Sequence, residues 1–286
     1  MRTWLTVAGM SALIAFQCQA QDAGGAKPAQ PPGPERAAEM AGQRLGVRLQ
    51  MLQSDKSRLE QELARPSNDA ETKAALDACQ KAQAALEENI KAQMEAGGDA
   101  EKLGKLQAQD KDLETAFWKT RNAVGFARNA VDMRKLGLNL PVPPVVNDDV
   151  LASREKYATA INRLADFYAE KAKNPPEGRM GLPTEGQAEE NALKLARDLA
   201  KVEFDYQIGI APLKANAAQF VNYPTVKTAF EGVIEKATAL RDAQLKAVEA
   251  QNAVQKATVA RRQADEAFTA AIDKDRAAIK ARGAQQ

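Results

Sequence analysis

From residue 36 onward, apolar side chains recur alternately three and four residues apart, and this spacing suits little except long helices packed along their lengths. In the stretch 36–64 the row is Leu45, Leu49, Leu52, Lys56, Leu59 and Leu63. A strand turns every second side chain to one face, whereas steps of three and four share a stripe only on a helix. Pro66 stops this first helix, because it lacks an N–H and its ring collides with the preceding turn.

The same reading carries down the chain. Asn68 and Glu71 form a capping-box signature opening a second helix, whose seam is Leu76, Cys79, Gln83, Leu86 and Ile90 and whose end is Gly97-Gly98. Asp99 is placed to cap a third, with the longest seam, from Leu103 through Leu106, Asp110, Leu113, Phe117 and Val124 to Val131 and an end near Arg134 or Lys135. Pro141, Pro143 and Pro144 make the segment to Asn147 an extended crossover. Asp148 and Asp149 open a fourth helix, with Val150, Tyr157, Ile161, Leu164 and Tyr168 on one stripe, which stops before Asn174-Pro175-Pro176. Thr184 and Gln187 form a second capping-box signature; the fifth helix carries Leu195, Leu199, Val202 and Tyr206, and Pro212 is expected to kink or end it.

After Pro224 no proline or helix-breaking pair occurs until Gly283, which predicts one helix of about 58 residues, roughly 85 to 90 Å long. Its interior is dominated by alanine, with Leu240, Leu245, Val248, Val254, Val259, Phe268, Ile272 and Ile279 as the larger apolar residues. Small seam residues bury little area each, so such a helix needs partners along most of its length.

Residues 36–116 contain no aromatic side chain, while Phe117, Trp118, Phe126, Tyr157, Phe167, Tyr168, Phe204 and Tyr206 follow. Large rings dominate core burial. The expected fold is therefore all-α: an elongated antiparallel helical bundle of coiled-coil type with about six long helices. A single domain over 36–283 would have a better-packed body at 99–234 and a thinner arm made from 36–98 with the distal 235–283.

The N-terminus reads differently. Arg2 precedes an apolar run from Trp4 to Phe16 that, at about 13 residues, is shorter than the roughly 20 needed to span a bilayer. Cys18-Gln19-Ala20 places the small residues of a secretory cleavage site, so residues 1–20 read as a signal peptide cut after Ala20. Acylation at Cys18 is the competing reading, against which Gln17 stands where a small residue is usual. Pro28, Pro31, Pro32 and Pro34 make residues 21–35 a tether, and the implied compartment is the periplasm, the cell surface or the outside.

Composition narrows the chemistry. Of 40 basic and 38 acidic residues, a cleaved leader takes only Arg2, leaving 39 against 38 and a net charge of about +1. No general field attracts nucleic acid, and the basic residues late in the last helix, such as Arg261 and Lys274, are interleaved with Asp265 and Asp273. Membrane contact draws only weak support. Histidine is absent, which removes the commonest general base and nitrogen metal ligand. With Cys18 gone, Cys79 is a single thiol and no internal disulfide can form.

Apparent catalytic motifs dissolve on inspection. Glu87-Glu88, Asp148-Asp149 and Glu189-Glu190 are adjacent on helices and point apart. Gly104-Lys105 approximates a phosphate loop, yet Asp99 stands at the first glycine and Leu106 at the magnesium-binding hydroxyl. No catalytic, cofactor or metal residue is assigned, and no cofactor is implied.

Three residues remain as interaction or register candidates. Lys56 and Asp110 are charges on otherwise apolar seams, where polar residues can set register or oligomer state, unless each lies at a seam edge with its head in water. Cys79 is either a redox thiol or a small buried seam residue. Function is thus expected to rest on helix–helix contact with protein partners or a second copy: a structural or scaffold protein, with a holding chaperone or membrane-shaping bundle as the alternative. An enzyme would need convergent polar groups in a pocket.

Overall fold

The computed structural model describes residues 34–64, 69–96, 99–178 and 181–283. The expected leader, Cys18, cleavage after Ala20 and the tether as far as residue 33 lie outside the described residues, as do Asn68 and the Gly97-Gly98 turn. Residues 1–44 and 45–286 form two units, and in the first the described residues 34–44 are the opening turns of a helix.

Six helices, and no strand, make up the regular structure of the described residues: α1 (Pro34–Leu63), α2 (Ala70–Ala96), α3 (Ala100–Leu138), α4 (Asp148–Lys173), α5 (Thr184–Gln219) and α6 (Pro224–Gly283). α6 is 60 residues long. Both α1 and α6 start on a proline, whose missing N–H costs nothing in a first turn.

The starts of α2 and α5 differ from expectation. Asp69 caps α2: the Thr72 backbone N–H donates to its Oδ1 at 2.9 Å and the Thr72 hydroxyl to its Oδ2 at 3.0 Å. Glu71 pairs with Arg134 of α3 at 2.9 Å, and the Asn68 half of the expected box lies outside the described residues. At α5 the capping box does not form. Thr184 is already the first helical residue, Pro183 precedes it without a side-chain cap, and the Thr184 hydroxyl donates to Glu266 of α6 at 2.9 Å. Tertiary contact takes the group that local chemistry reserved for capping.

Asp99 and Asn147 cap α3 and α4 through the Lys102 and Val150 amides, at 3.0 and 2.9 Å. α3 runs on to Leu138, past the expected stop, and its last turn lies against α4, where a Cβ on Gly137 would sit 3.4 Å from Ile161 Cγ2. Pro212 does not end α5 either. A mid-helix proline costs about 3 kcal/mol, and burial of the adjoining Ile210 and Ala211, 1% and 2% exposed, opposes that cost.

Contacts join α2 to α3, α3 to α4, α4 to α5 and α5 to α6. α1 contributes Leu52 and Leu59 to a core with Leu76, Cys79, Leu86 and Ile90 of α2 and Phe117 and Val124 of α3. A second cluster gathers Phe126, Ala130, Leu164, Phe167 and Tyr168 with Leu182, and a third joins Leu140, Tyr157, Ile161 and Phe204. Each fully buried Leu, Ile or Phe contributes about 1.5–3 kcal/mol before the cost of ordering it.

α6 departs most from the seam drawn for it. Leu245, Val248, Val259 and Ile272 are half-buried, whereas Leu240, Val254, Phe268 and Ile279 stand exposed.

Candidate interaction surfaces

Asp110 is held by Arg48 of α1, whose Nη1 donates to Asp110 Oδ2 at 2.5 Å while its Nη2 reaches Glu114 at 3.1 Å. Two further pairs follow at seven-residue steps along α1: Asp55 with Arg121 at 3.6 Å and Glu62 with Arg128 at 3.0 Å. All are partly exposed, so each contributes at most about 1 kcal/mol. Their sign pattern matters more than their strength, because sliding one helix by a heptad would set Arg48 against Arg121. Asp110 Oδ1 is buried with no hydrogen-bond partner.

Lys56 is half-buried, and its charge is among those that favour the ionised Glu87 carboxylate. The hydrogen bond from Lys91 is the larger reason that Glu87 titrates below the usual carboxylate range. Cys79 is fully buried, and burial pushes its thiol up despite the Thr120 hydroxyl, which favours the thiolate. The three candidates therefore have three different surroundings and form no common site. Thiolate chemistry at Cys79 is opposed by its environment.

Two polar groups of consequence carried no distinct signal. The Gln83 side chain donates to the Leu52 backbone carbonyl within the α1–α2 seam, leaving its own Oε1 buried without a partner. Asn252 of α6 is likewise buried, with Oδ1 unpartnered. Both sit at seam positions, and only the facing backbone reveals what each meets. Elsewhere Tyr168 donates to Glu190 at 2.7 Å; burial first, and that bond second, keep its phenol protonated far above the ordinary range. A groove of about 460 Å³ lies between α4 and α5 and is lined by Glu155, Lys156 and Arg163 among alanines.

α6 carries two stripes. The first packs on α5 at strict three- and four-residue steps: Thr238, Arg241, Leu245, Val248, Asn252, Gln255, Val259 and Arg262 are all buried or half-buried. Tyr206 of α5 hydrogen-bonds Thr238 at 2.8 Å and lies under the Arg241 guanidinium, 4.5 Å from ring centre to cation. The second stripe repeats every seven residues as Val226, Val233, Leu240, Ala247, Val254, Arg261 and Phe268, with Leu240 60%, Val254 66% and Phe268 67% exposed. Three residues beyond each stands an exposed small residue in most turns: Ala229, Ala243, Ala250, Ala257, Ala264 and Ala271. At 100° per residue the two stripes, displaced by two residues, lie about 160° apart around the helix, so α5 leaves the second open.

Among the described residues no helix is long and apolar enough to cross a membrane. Comparison with known proteins returns no matching family model, no matching curated protein and no matching solved structure.

Proposed function

We propose that this chain is an exported scaffold or protein-binding protein of the periplasm or cell surface, acting through helix–helix contact and not through catalysis. In this reading its helices form an antiparallel coiled-coil-type bundle, with α6 as the binding element. The observation that carries it is the exposed second stripe of α6. One face of that helix is satisfied by α5, and the other presents large apolar side chains at heptad spacing. Antiparallel neighbours are supported by the pairs Tyr157–Phe204 and Tyr168–Glu190 between α4 and α5, where one partner number rises as the other falls. The pairs Thr184–Glu266 and Tyr206–Thr238 follow the same rule between α5 and α6.

The exposed apolar row also gives the alternative, a holding chaperone, a specific footing, because the same residues could take an unfolded client. The test is mass determination by in-line light scattering on chain purified after export, with and without anionic vesicles or an unfolded outer-membrane protein. The scaffold reading expects no gain with either. A gain on the client favours the chaperone, and a gain on vesicles favours membrane shaping. N-terminal sequencing of the exported chain should begin at Gln21.

A further inference from the structure

We infer that the second stripe of α6 is the docking surface for α6 of a second copy, packed antiparallel in the one heptad register that pairs Lys236 with Asp275. The inference rests on the scaffold reading and names its partner.

The seven-residue row and the alanine row three residues beyond it are the two seam positions of a coiled coil. Lys236 is the cation in the alanine row, and Asp275 continues the apolar row as an anion. A parallel, in-register pair would set Lys236 on Lys236, Arg261 on Arg261 and Asp275 on Asp275, each repulsive. An antiparallel pair sets one row against the other. Placing Lys236 opposite Asp275 then puts Leu240 against Ala271, Val254 against Ala257 and Phe268 against Ala243, with Arg261 over Ala250.

Every large apolar side chain in this arrangement meets an alanine, which lets the two helices approach closely. The Arg261 stem can lie along Ala250 with its head in water. Shifting by one heptad either way breaks both copies of the Lys236–Asp275 pair; one direction sets Phe268 on Lys236, the other Arg282 on Lys236. The contact would run from Val233 to Ala278, about 68 Å at 1.5 Å per residue. Lys236 and Asp275 are both exposed, so exchanging their charges leaves the fold of one copy intact.

Sedimentation equilibrium of the full exported chain tests this with Asp275→Lys, Lys236→Asp and the double exchange. The wild type should dimerise, each single exchange should raise the dissociation constant at least tenfold, and the double exchange should restore it. Leu240→Glu should abolish the dimer while leaving the helical circular-dichroism signal unchanged. A wild type that stays monomeric overturns the dimer, and a double exchange that fails to restore affinity overturns the register. Neither result touches the vesicle and client outcomes on which the scaffold reading stands or falls.

Discussion

Arg48 and Glu114 meet at 3.1 Å across 66 residues of chain, and the Glu62–Arg128 pair spans the same 66. Asp55 and Arg121 share the offset. A constant difference in number means that α1 and α3 run in the same direction past each other. The change of sign along the row, Arg48 followed by Asp55 and Glu62, disfavours a one-heptad slide that would set Arg48 against Arg121. A double-mutant cycle on Glu62 and Arg128 should give a coupling of about 0.5–1 kcal/mol in urea unfolding at low salt, shrinking as salt rises. The charge-reversed pair, Glu62→Arg with Arg128→Glu, should recover most of the loss from either single change.

Burial should make Cys79 unreactive. In the native chain a thiol reagent should fail to label it, and labelling should become complete in strong urea. The folded thiol titrates above its ordinary 9.0, so its contribution to stability is fully present below 9.0 and declines as pH rises toward the folded value. Cys79→Ala should therefore flatten the alkaline arm of the stability profile while lowering its plateau.

Asp69 should be worth a helix cap. Burial pushes its carboxyl up, but the Thr72 hydrogen bonds outweigh that and hold it below the ordinary 3.8. The ionised cap is then fully stabilising above 3.8 and is lost as pH falls through the lower folded value. Asp69→Ala should cost about 1 kcal/mol near neutral pH, measured by thermal unfolding, and Asp69→Asn much less.

Leucines of equal hydropathy should differ sharply by position. Leu76 is fully buried, and Leu76→Ala should cost about 2–5 kcal/mol. Leu240→Ala should stay within about 0.5 kcal/mol in unfolding measured at concentrations where the chain is monomeric. Equal costs would mean that α6 is covered within one copy.

At Asn252 stability should rise on substitution. Its buried Oδ1 has no partner, and Asn252→Leu replaces the amide with an apolar group of the same branched skeleton in a groove that Leu195 and Val248 also line. The expected gain is about 1 kcal/mol in unfolding free energy, by relief of an unsatisfied acceptor.

The helical class, the proline-marked breaks and most of the seam through Leu52, Leu76, Leu86, Ile90 and Phe117 were set by local sequence. Three- and four-residue periodicity and missing N–H groups act within a few turns, so most of their effect is readable without knowing the distant contacts. The Asp99 cap was legible for the same reason. Tertiary structure decided everything that depends on which surfaces meet. It drew the Thr184 hydroxyl from a cap to Glu266, carried α5 through Pro212, and turned the Leu49-flanking Arg48 into the partner of Asp110. Above all, it chose between the two stripes of α6. Periodicity marks both, since both repeat by heptads, and α5 settled on the stripe carrying Arg241, whose guanidinium finds Tyr206 and Glu203 only there.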